Sequence, residues 1–533
     1  MKTLFKNAKI YDGTANDPFI GDVLIEGEKI LNVAENIEDK SANVVNLSGL
    51  SLSSGFIDAH SHNDWYAIKE EPVKYFEPFI RQGICSFITG NCGLSASGFN
   101  PDSKNKNVFG TGLFHYRNVK GIYGDVGDFF DAIDNNTPCN IATLVGHCTA
   151  RADVAGLENR PLTEDEMSKM LNNVDKSLSQ GACGISLGLM YSPGIYAPLD
   201  ELKELSKLSI KHDKAFTVHP RASSKVSMAY PQLFGRSHLL RALDELWEIA
   251  KGTNLKLHYS HAIFVGRSTF PNIDEFVDII NKMKAEGINI GFDIYDEDIG
   301  TTVITVIMPP WYMALSKEDK RKPFNKLRFA LLTKASILLL GFGFNDMTIA
   351  YVGEGNEQFE GKTVHQIAKE LGVSDLDAYL HLCEISDFKG RINMGPYTTD
   401  EILRELSKHD DVLYMTDAWY EEKGVQNPAL FDCFPKFLQH SLKGDYDTMP
   451  KTIRKMTAAT ADRFRLKDRG YIKPGYYADI TIFDEAELLN GTPDIEKPFG
   501  INRVYINGKE VLNNGELNTE ALKTSGKAMR VID

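Results

Sequence analysis

The chain has 533 residues, 42% hydrophobic and 25% charged, the balance of a globular protein too long for one compact domain. Its formal net charge of -14 argues against a nucleic-acid partner held through phosphates, because that binding needs an excess of Lys and Arg. Seven scattered cysteines, an odd number, suit a reducing compartment better than a disulfide framework.

Residues 1–54 read as short strands and turns: Leu4-Phe5, Ile10-Tyr11, then 22–30 with Glu26-Gly27-Glu28 as a hairpin turn, then 44–47. No secretory apolar region with a small-residue cleavage site follows Met1, and the most apolar run, 335–344, is too short and too broken by glycine to cross a bilayer. A cytoplasmic protein with no membrane partner is therefore expected. From about 55 to 300 strand, loop and helix alternate. Strands are expected at 85–89, 141–145, 183–187, 215–218, 255–259 and 288–294, with helices at 164–180, 199–212, 238–251 and 272–286. Serial βα units predict a parallel sheet, and this many predict a closed (β/α)8 TIM-type barrel ahead of a doubly wound sheet.

The rhythm breaks at about 303–408, where Met308-Pro309-Pro310-Trp311 opens a charged helical stretch and 360–371 reads as an amphipathic helix. This is an insertion before the last barrel strand, which resumes at 412–417. Beyond it, Lys473-Pro-Gly475 turns into a strand, and Asn507-Gly508 carries the signature of a type I′ hairpin. Strands without helices at both ends predict a small β-sandwich domain from 1–54 plus 470–533, attached to a barrel at 55–469.

Function in such a barrel sits where strands end. The first strand runs into Gly55-Phe-Ile-Asp58-Ala-His60-Ser-His62-Asn-Asp64. Two imidazoles one residue apart reach one metal only if the backbone leaves the pleat, and an isolated pair is equally well read as surface histidines. Core-like Phe56 and Ile57, with Asp58 and Asp64 as bracketing carboxylates that can orient the rings, favour the metal. Later strands end in Gly90-Asn91-Cys92-Gly93, Gly146-His147-Cys148-Thr-Ala-Arg151, His219-Pro220-Arg221, Ser260-His261 and Thr416-Asp417. That recurrence outweighs any single motif. Taken singly, His147 can cap the helix after it, Cys92 can be a buried thiol, His258 is a structural residue, and Cys85, Cys139, Cys183, Cys383 and Cys433 are core thiols.

The opening Gly-Phe-Ile-Asp-x-His-x-His resembles the metal-binding start of the amidohydrolase superfamily, and Gly90-Asn-Cys92-Gly narrows the resemblance to the N-acyl-D-amino-acid deacylases, or D-aminoacylases. It extends through Gly184-Ile-Ser-Leu-Gly-Leu-Met-Tyr-Ser-Pro, Asp293-Ile-Tyr295, Phe434-Pro-Lys, 456–464 and 469–479. The resemblance implies that Cys92, His219 and His261 hold one tightly bound Zn2+, that His60 and His62 serve a second, weaker position, and that Cys92 can bridge the two. Imidazole and thiolate donors suit zinc better than magnesium or calcium. It implies further that Asp417, placed both as ligand and as catalytic residue, is general base and then general acid to metal-activated water, and that Tyr295 binds substrate.

Two departures bear on the substrate. The family places a lysine two residues after the sixth-strand histidine, where this chain has Ile263. It also places an arginine for the substrate carboxylate where this chain reads Asn427-Pro428-Ala429. A neutral methyl cannot replace a bidentate guanidinium. Either Arg151, Arg221, Lys423 or Arg267 supplies the charge, or the substrate is not a simple N-acyl-D-amino acid. The resemblance thus implies a zinc-dependent hydrolase of the linear amide bond of N-acyl amino acids, the D configuration favoured. The alternatives are the same site acting on a cyclic amide or dipeptide-like compound and, more remotely, a non-catalytic assembly protein.

Overall fold

Eight parallel strands follow one another in sequence order around a nearly closed sheet: β1 Phe56–Asp58, β2 Ile84–Thr89, β3 Asn140–Gly146, β4 Gly184–Gly188, β5 Ala215–His219, β6 Lys256–Tyr259, β7 Asn289–Ile294 and β8 Val412–Tyr414. The computed structural model describes every residue except 1, 106–113, 115, 228, 231–234, 493–498 and 533. Every residue of β2 and β3 is buried. Strands buried along their whole length belong to a parallel sheet covered on both faces. The seam between β8 and β1 is bridged where the chemistry lies: Ala59 N–H donates to the Tyr414 carbonyl at 3.2 Å, and Asp417 N–H to the His60 carbonyl at 3.2 Å.

The helices between strands cover the barrel with one apolar stripe each. Glu164–Ser179 shows the local logic. Thr163 and Glu166 form a reciprocal capping box at its start, and Met170, Val174 and Leu178 recur at helical spacing on its buried face.

Both chain ends enter one nine-stranded mixed sheet. Its N-terminal part holds Lys2–Tyr11, Phe19–Glu26, Lys29–Ala34, Asn43–Asn46 and Ser51–Ser54, and its C-terminal part Ile480–Phe483, Ile501–Ile506, Lys509–Asn513 and Glu516–Leu517. Ser51–Ser54 joins the two by pairing with Ile480–Phe483. Phe5, Val23, Ile25 and Leu52 share a core with Ile480, Ile482 and Tyr505 from the other end. The Asn507-Gly508 turn has φ of 48° and 76°, the two left-handed residues that a type I′ hairpin requires.

Between β7 and β8 the chain builds a unit with its own core. A three-stranded sheet of Gly300–Val303, Met347–Tyr351 and Arg391–Met394 packs with helices around Ile304, Phe329, Ile349, Tyr379 and Ile392. The helix expected over 360–371 begins at Val364, because Thr363 and Gln366 cap it there. The Asp400–Ser407 helix instead returns Ile402, Leu403 and Leu406 to the barrel core. Among the described residues no helix is long and apolar enough to cross a membrane.

Candidate metal centre and active site

His60 and His62 lie just past β1, where the backbone has left the pleat, and both Nε2 atoms face one carboxylate. Asp417 Oδ1 is 3.6 Å from His60 Nε2 and 3.5 Å from His62 Nε2. Cys92 Sγ lies 3.3 Å from His60 Nε2, 3.6 Å from His219 Nδ1 and 3.5 Å from His261 Nε2, while those last two nitrogens are 2.7 Å apart. Five of the six residues are buried, and Asp417 is a quarter exposed toward a cavity. Two overlapping groups could hold an ion: His60, Cys92 and His261, and His60, His62 and Asp417, with His219 closing against Cys92 and His261.

The backbone is bent to achieve this. Cys92, His261 and Asp417 have φ of 53°, 36° and 47°, a left-handed conformation that costs any residue with a Cβ roughly 1 kcal/mol or more. Close packing and hydrogen bonds hold them there. The Cys92 loop is pressed onto Gly188, where a Cβ would lie 2.0 Å from the Cys92 carbonyl oxygen. Ser186 braces both ends of the loop, donating to the Gly90 carbonyl and accepting from Gly93 N–H at 3.0 Å. Asn91 donates to the Ile88 carbonyl at 3.0 Å.

The bracketing carboxylates act differently from the expectation that they orient the rings. Asp58 accepts from His60 N–H and Thr416 N–H, each at 3.1 Å, and from the Thr416 hydroxyl at 2.6 Å, so it ties the β1 rim to the β8 rim. Asp64 accepts from Ala96 N–H at 2.8 Å. The carboxylate beside a ring is Asp293 at the end of β7. It lies 3.4 Å from His60 Nδ1, receives a 2.9 Å bond from His258 Nε2, and accepts from His261 N–H. His258 thus supports Asp293. His147 is neither cap nor ligand, since its Nε2 meets Glu201 at 2.8 Å and no side chain caps the His147–Ala155 helix.

The electrostatics are those of a cation site. Burial alone would raise the Cys92 thiol, but His60, His219 and His261 outweigh it and hold the pKa well below the ordinary thiol value. Burial would likewise discharge His62, yet Asp417 and Cys92 keep it up at about 9. His219 is pushed down to about 4 by burial and by the neighbouring His261, which leaves a neutral ring with a free lone pair. Lone pairs of one sulfur and several nitrogens aimed into one space repel unless protons or a cation lie among them. The donor set fits a borderline-soft transition metal such as zinc, whose binding would release protons.

The centre opens into a cavity of about 280 Å³ lined by His62, Trp65, Cys92, Leu94, Phe114, Tyr191, Ser192, Asp417 and Trp419, with Thr301, Thr302 and Val303 of the Gly300–Val303 strand as a further wall. The Phe114 ring stacks on His62 at 4.5 Å and meets Trp419 edge-on at 5.0 Å. No Lys or Arg is among these described lining residues. A larger open groove of about 650 Å³ beside Asn100 and Lys176 is lined by no His or Cys.

Tyr295 is buried at the end of β7, and burial, then the Asp417 charge, hold its phenol well above the ordinary value. The cations are engaged elsewhere. Arg151 is buried against Glu201 at 2.9 Å and the Arg160 carbonyl at 2.8 Å. Arg221 forks onto Glu245 and donates to the Ile195 and Ala197 carbonyls. Arg267 pairs with Asp346 at 2.8 Å, and Lys423 pairs with Glu354 on the surface. The structure therefore gathers His60, His62, Cys92, His219, His261 and Asp417, sets Tyr295 within electrostatic reach of Asp417, and leaves Arg151, Arg221 and Lys423 outside. The aromatic walls escaped sequence reasoning, although Trp65 directly follows Asp64 and Trp419 lies two residues after Asp417.

Comparison with known proteins agrees with this geometry. Residues 367–511 match the model of the Amidohydrolase family. The chain is 25% identical to a D-aminoacylase of Alcaligenes xylosoxydans xylosoxydans, over 95% of this chain and 94% of that one. A solved D-aminoacylase superposes with a TM-score of 0.77 at 25% identity, covering 99% of each chain. The chain is similar to D-aminoacylases over nearly its whole length, and its residues 367–511 match the Amidohydrolase family. An N-acyl-D-glutamate deacylase from Bordetella bronchiseptica, solved with zinc and a phosphonate mimic of the tetrahedral intermediate, shares the fold at a TM-score of 0.79 and 21% identity over 99% of both chains. The chain is thus similar to the D-amino-acid deacylases along its whole length, not only at the barrel motifs.

Proposed function

We propose that this chain is an amidohydrolase, a zinc-dependent deacylase that hydrolyses the amide bond of N-acyl amino acids, with D configuration favoured. The carrying observation is that Cys92, His219, His261, His60, His62 and Asp417, drawn from five strand ends, meet at the floor of one cavity. Whole-length likeness to a D-aminoacylase supports the substrate class. Cys92, His219 and His261 would hold the tighter zinc, with His60, His62 and Asp417 offering the weaker second position. When bound, zinc supplies positive charge that polarises the amide carbonyl and makes water easier to deprotonate.

The proton work falls to Asp417. Its Oδ1 faces both His60 and His62, so the carboxylate is aimed into the centre while its exposed side meets the cavity. It takes a proton from the attacking water and returns it to the amide nitrogen, which departs poorly unless protonated. Tyr295 offers a phenol hydroxyl to the substrate. Trp65, Phe114 and Trp419 exclude bulk water, which strengthens each charge interaction inside. On this reading residues 55–469 are the catalytic unit, 1–54 with 470–533 its support, and the insertion at 303–408, through the adjoining 300–303 strand, its cover. Seven unpaired cysteines support a cytoplasmic setting, and the acidic balance supports a small-molecule partner over nucleic acid.

A second reading is favoured by one observation, the lack of Lys and Arg among the described residues lining the cavity. A free carboxylate desolvated there without a partner is costly, so a cyclic amide or a substrate with a blocked carboxyl group fits better than a free acid. Both readings are tested by loading the protein with zinc and following amine release from N-acetyl amino acids of both hands, their carboxamides, and cyclic amides. Faster hydrolysis of D free acids supports the first reading. Hydrolysis confined to carboxamides or cyclic amides replaces it with the second, and no turnover of any amide refutes both.

A further inference from the structure

Among the described residues, the most exposed apolar surface lies on one helix of the insertion, Pro323–Leu340. Phe324, Leu327, Leu331, Leu332, Leu338 and Leu339 are 42–82% exposed, with Leu338 the extreme, and they make up six of the nineteen large hydrophobic residues exposed among the described ones. Only Phe329 and Thr333 of the helix are buried, and the Phe329 ring, stacked on Tyr312 at 4.4 Å, anchors its back. The front presents Phe324, Leu327, Leu331 and Leu338, the seven-residue spacing of a helix–helix seam. These six residues expose roughly 600 Å² of mostly apolar surface, at or above the largest patch of an ordinary monomer.

We infer that this face is a homodimer interface, in which the helix pairs antiparallel with its copy in a second chain about a two-fold axis at Leu331. Two observations carry it. Phe324 and Leu338 lie seven residues on either side of Leu331, so the two-fold sets each against the other, Leu331 against itself, and Leu327 against the small Ala335. Two copies bury on the order of 1,200 Å², where stable interfaces begin. The last turn of the helix also rests on the loop after β6, with Ser268 N–H donating to the Leu340 carbonyl at 3.3 Å, so dimerisation would brace the insertion from outside the cavity.

The test is sedimentation equilibrium of the full chain at micromolar concentration, with L331E and L331K prepared separately and mixed. Leu331 is exposed, so both variants should keep the wild-type circular dichroism spectrum and melting temperature. The expected result is twice the chain mass for wild type, a single chain for each variant alone, and recovery of the dimer when they are mixed in equal amounts. Wild type at the mass of one chain overturns the inference, and co-sedimentation of that monomer with phosphatidylglycerol vesicles would reassign the face to lipid. A variant that stays dimeric, or a mixture that stays monomeric, refutes the self-pairing of this helix.

Discussion

Replacing Asp417 by Asn tests the proposed chemistry with least disturbance of the structure. Asn matches Asp in size, tolerates the left-handed φ of 47° that Ala would find strained, and keeps the backbone N–H bond to His60. It removes the charge 3.5 Å from His62 Nε2 and the capacity to carry a proton. One group serving as base and then as acid contributes at least one full general-catalysis term and commonly two, so kcat should fall by about 10⁴-fold or more, on the order of 5 kcal/mol of barrier. Metal should remain, because the Cys92, His219 and His261 donors meet without Asp417. The assay pairs steady-state amine release with zinc analysis of the same preparation. Activity within tenfold of wild type, or zinc lost in step with activity, would show that Asp417 is not the proton carrier.

Other outcomes follow from the same geometry. Cys92→Ala should leave less than half an equivalent of zinc after dialysis against a mild chelator while the chain stays folded, and full retention would remove the thiolate from the centre. Trp419→Ala, which opens the wall against Phe114, should raise KM at least tenfold for substrates with large apolar groups and leave zinc content unchanged; an unaltered KM would exclude Trp419 from substrate contact. Away from the metal, Asp296 is buried with the Tyr446 hydroxyl on Oδ1 at 3.1 Å, and burial raises its pKa from 3.8 to about 6 against the opposing charges of His440 and Lys436. The folded state therefore holds this proton more tightly than the unfolded one. That contribution to stability is complete below about pH 4 and is lost as pH rises through 6, and the displacement corresponds to about 3 kcal/mol. Asp296→Asn should consequently be the more stable form at pH 8, by up to about 3 kcal/mol in urea unfolding, and indistinguishable from wild type at pH 4; a variant less stable than wild type at pH 8 contradicts this.

Much of this architecture was legible in the residue order because it rests on local periodicity. Apolar runs such as 141–145 followed by amphipathic helices can pack only as βα units, and Asn507-Gly508 permits one kind of turn. The clustering of potential donors was legible because metal-binding residue types recur at strand ends. What stayed hidden depends on contacts distant in sequence. Nothing local to Cys92 or His261 signals a left-handed backbone, since Gly188 and Ser186 brace the Cys92 loop and Asp293 holds the His261 N–H from other strands. Nor does Arg151 reveal by position that Glu201, fifty residues on, neutralises it. Phe114 reaches the cavity from the long stretch between β2 and β3, where no periodic pattern marks it. The apolar run at 335–344 read as too short to span a membrane, and it forms the end of a helix whose leucines face outward, an outcome set by what packs against it.

The most direct measurement of the central claim is X-ray absorption at the zinc edge on the purified protein, with zinc content determined on the same sample. The account predicts at least one zinc per chain, bound by one sulfur at about 2.3 Å and by imidazole nitrogens at about 2.0–2.1 Å, with the sulfur shell gone in Cys92→Ser. Zinc ligated only by nitrogen and oxygen, or no zinc in protein expressed with ample metal, would contradict it.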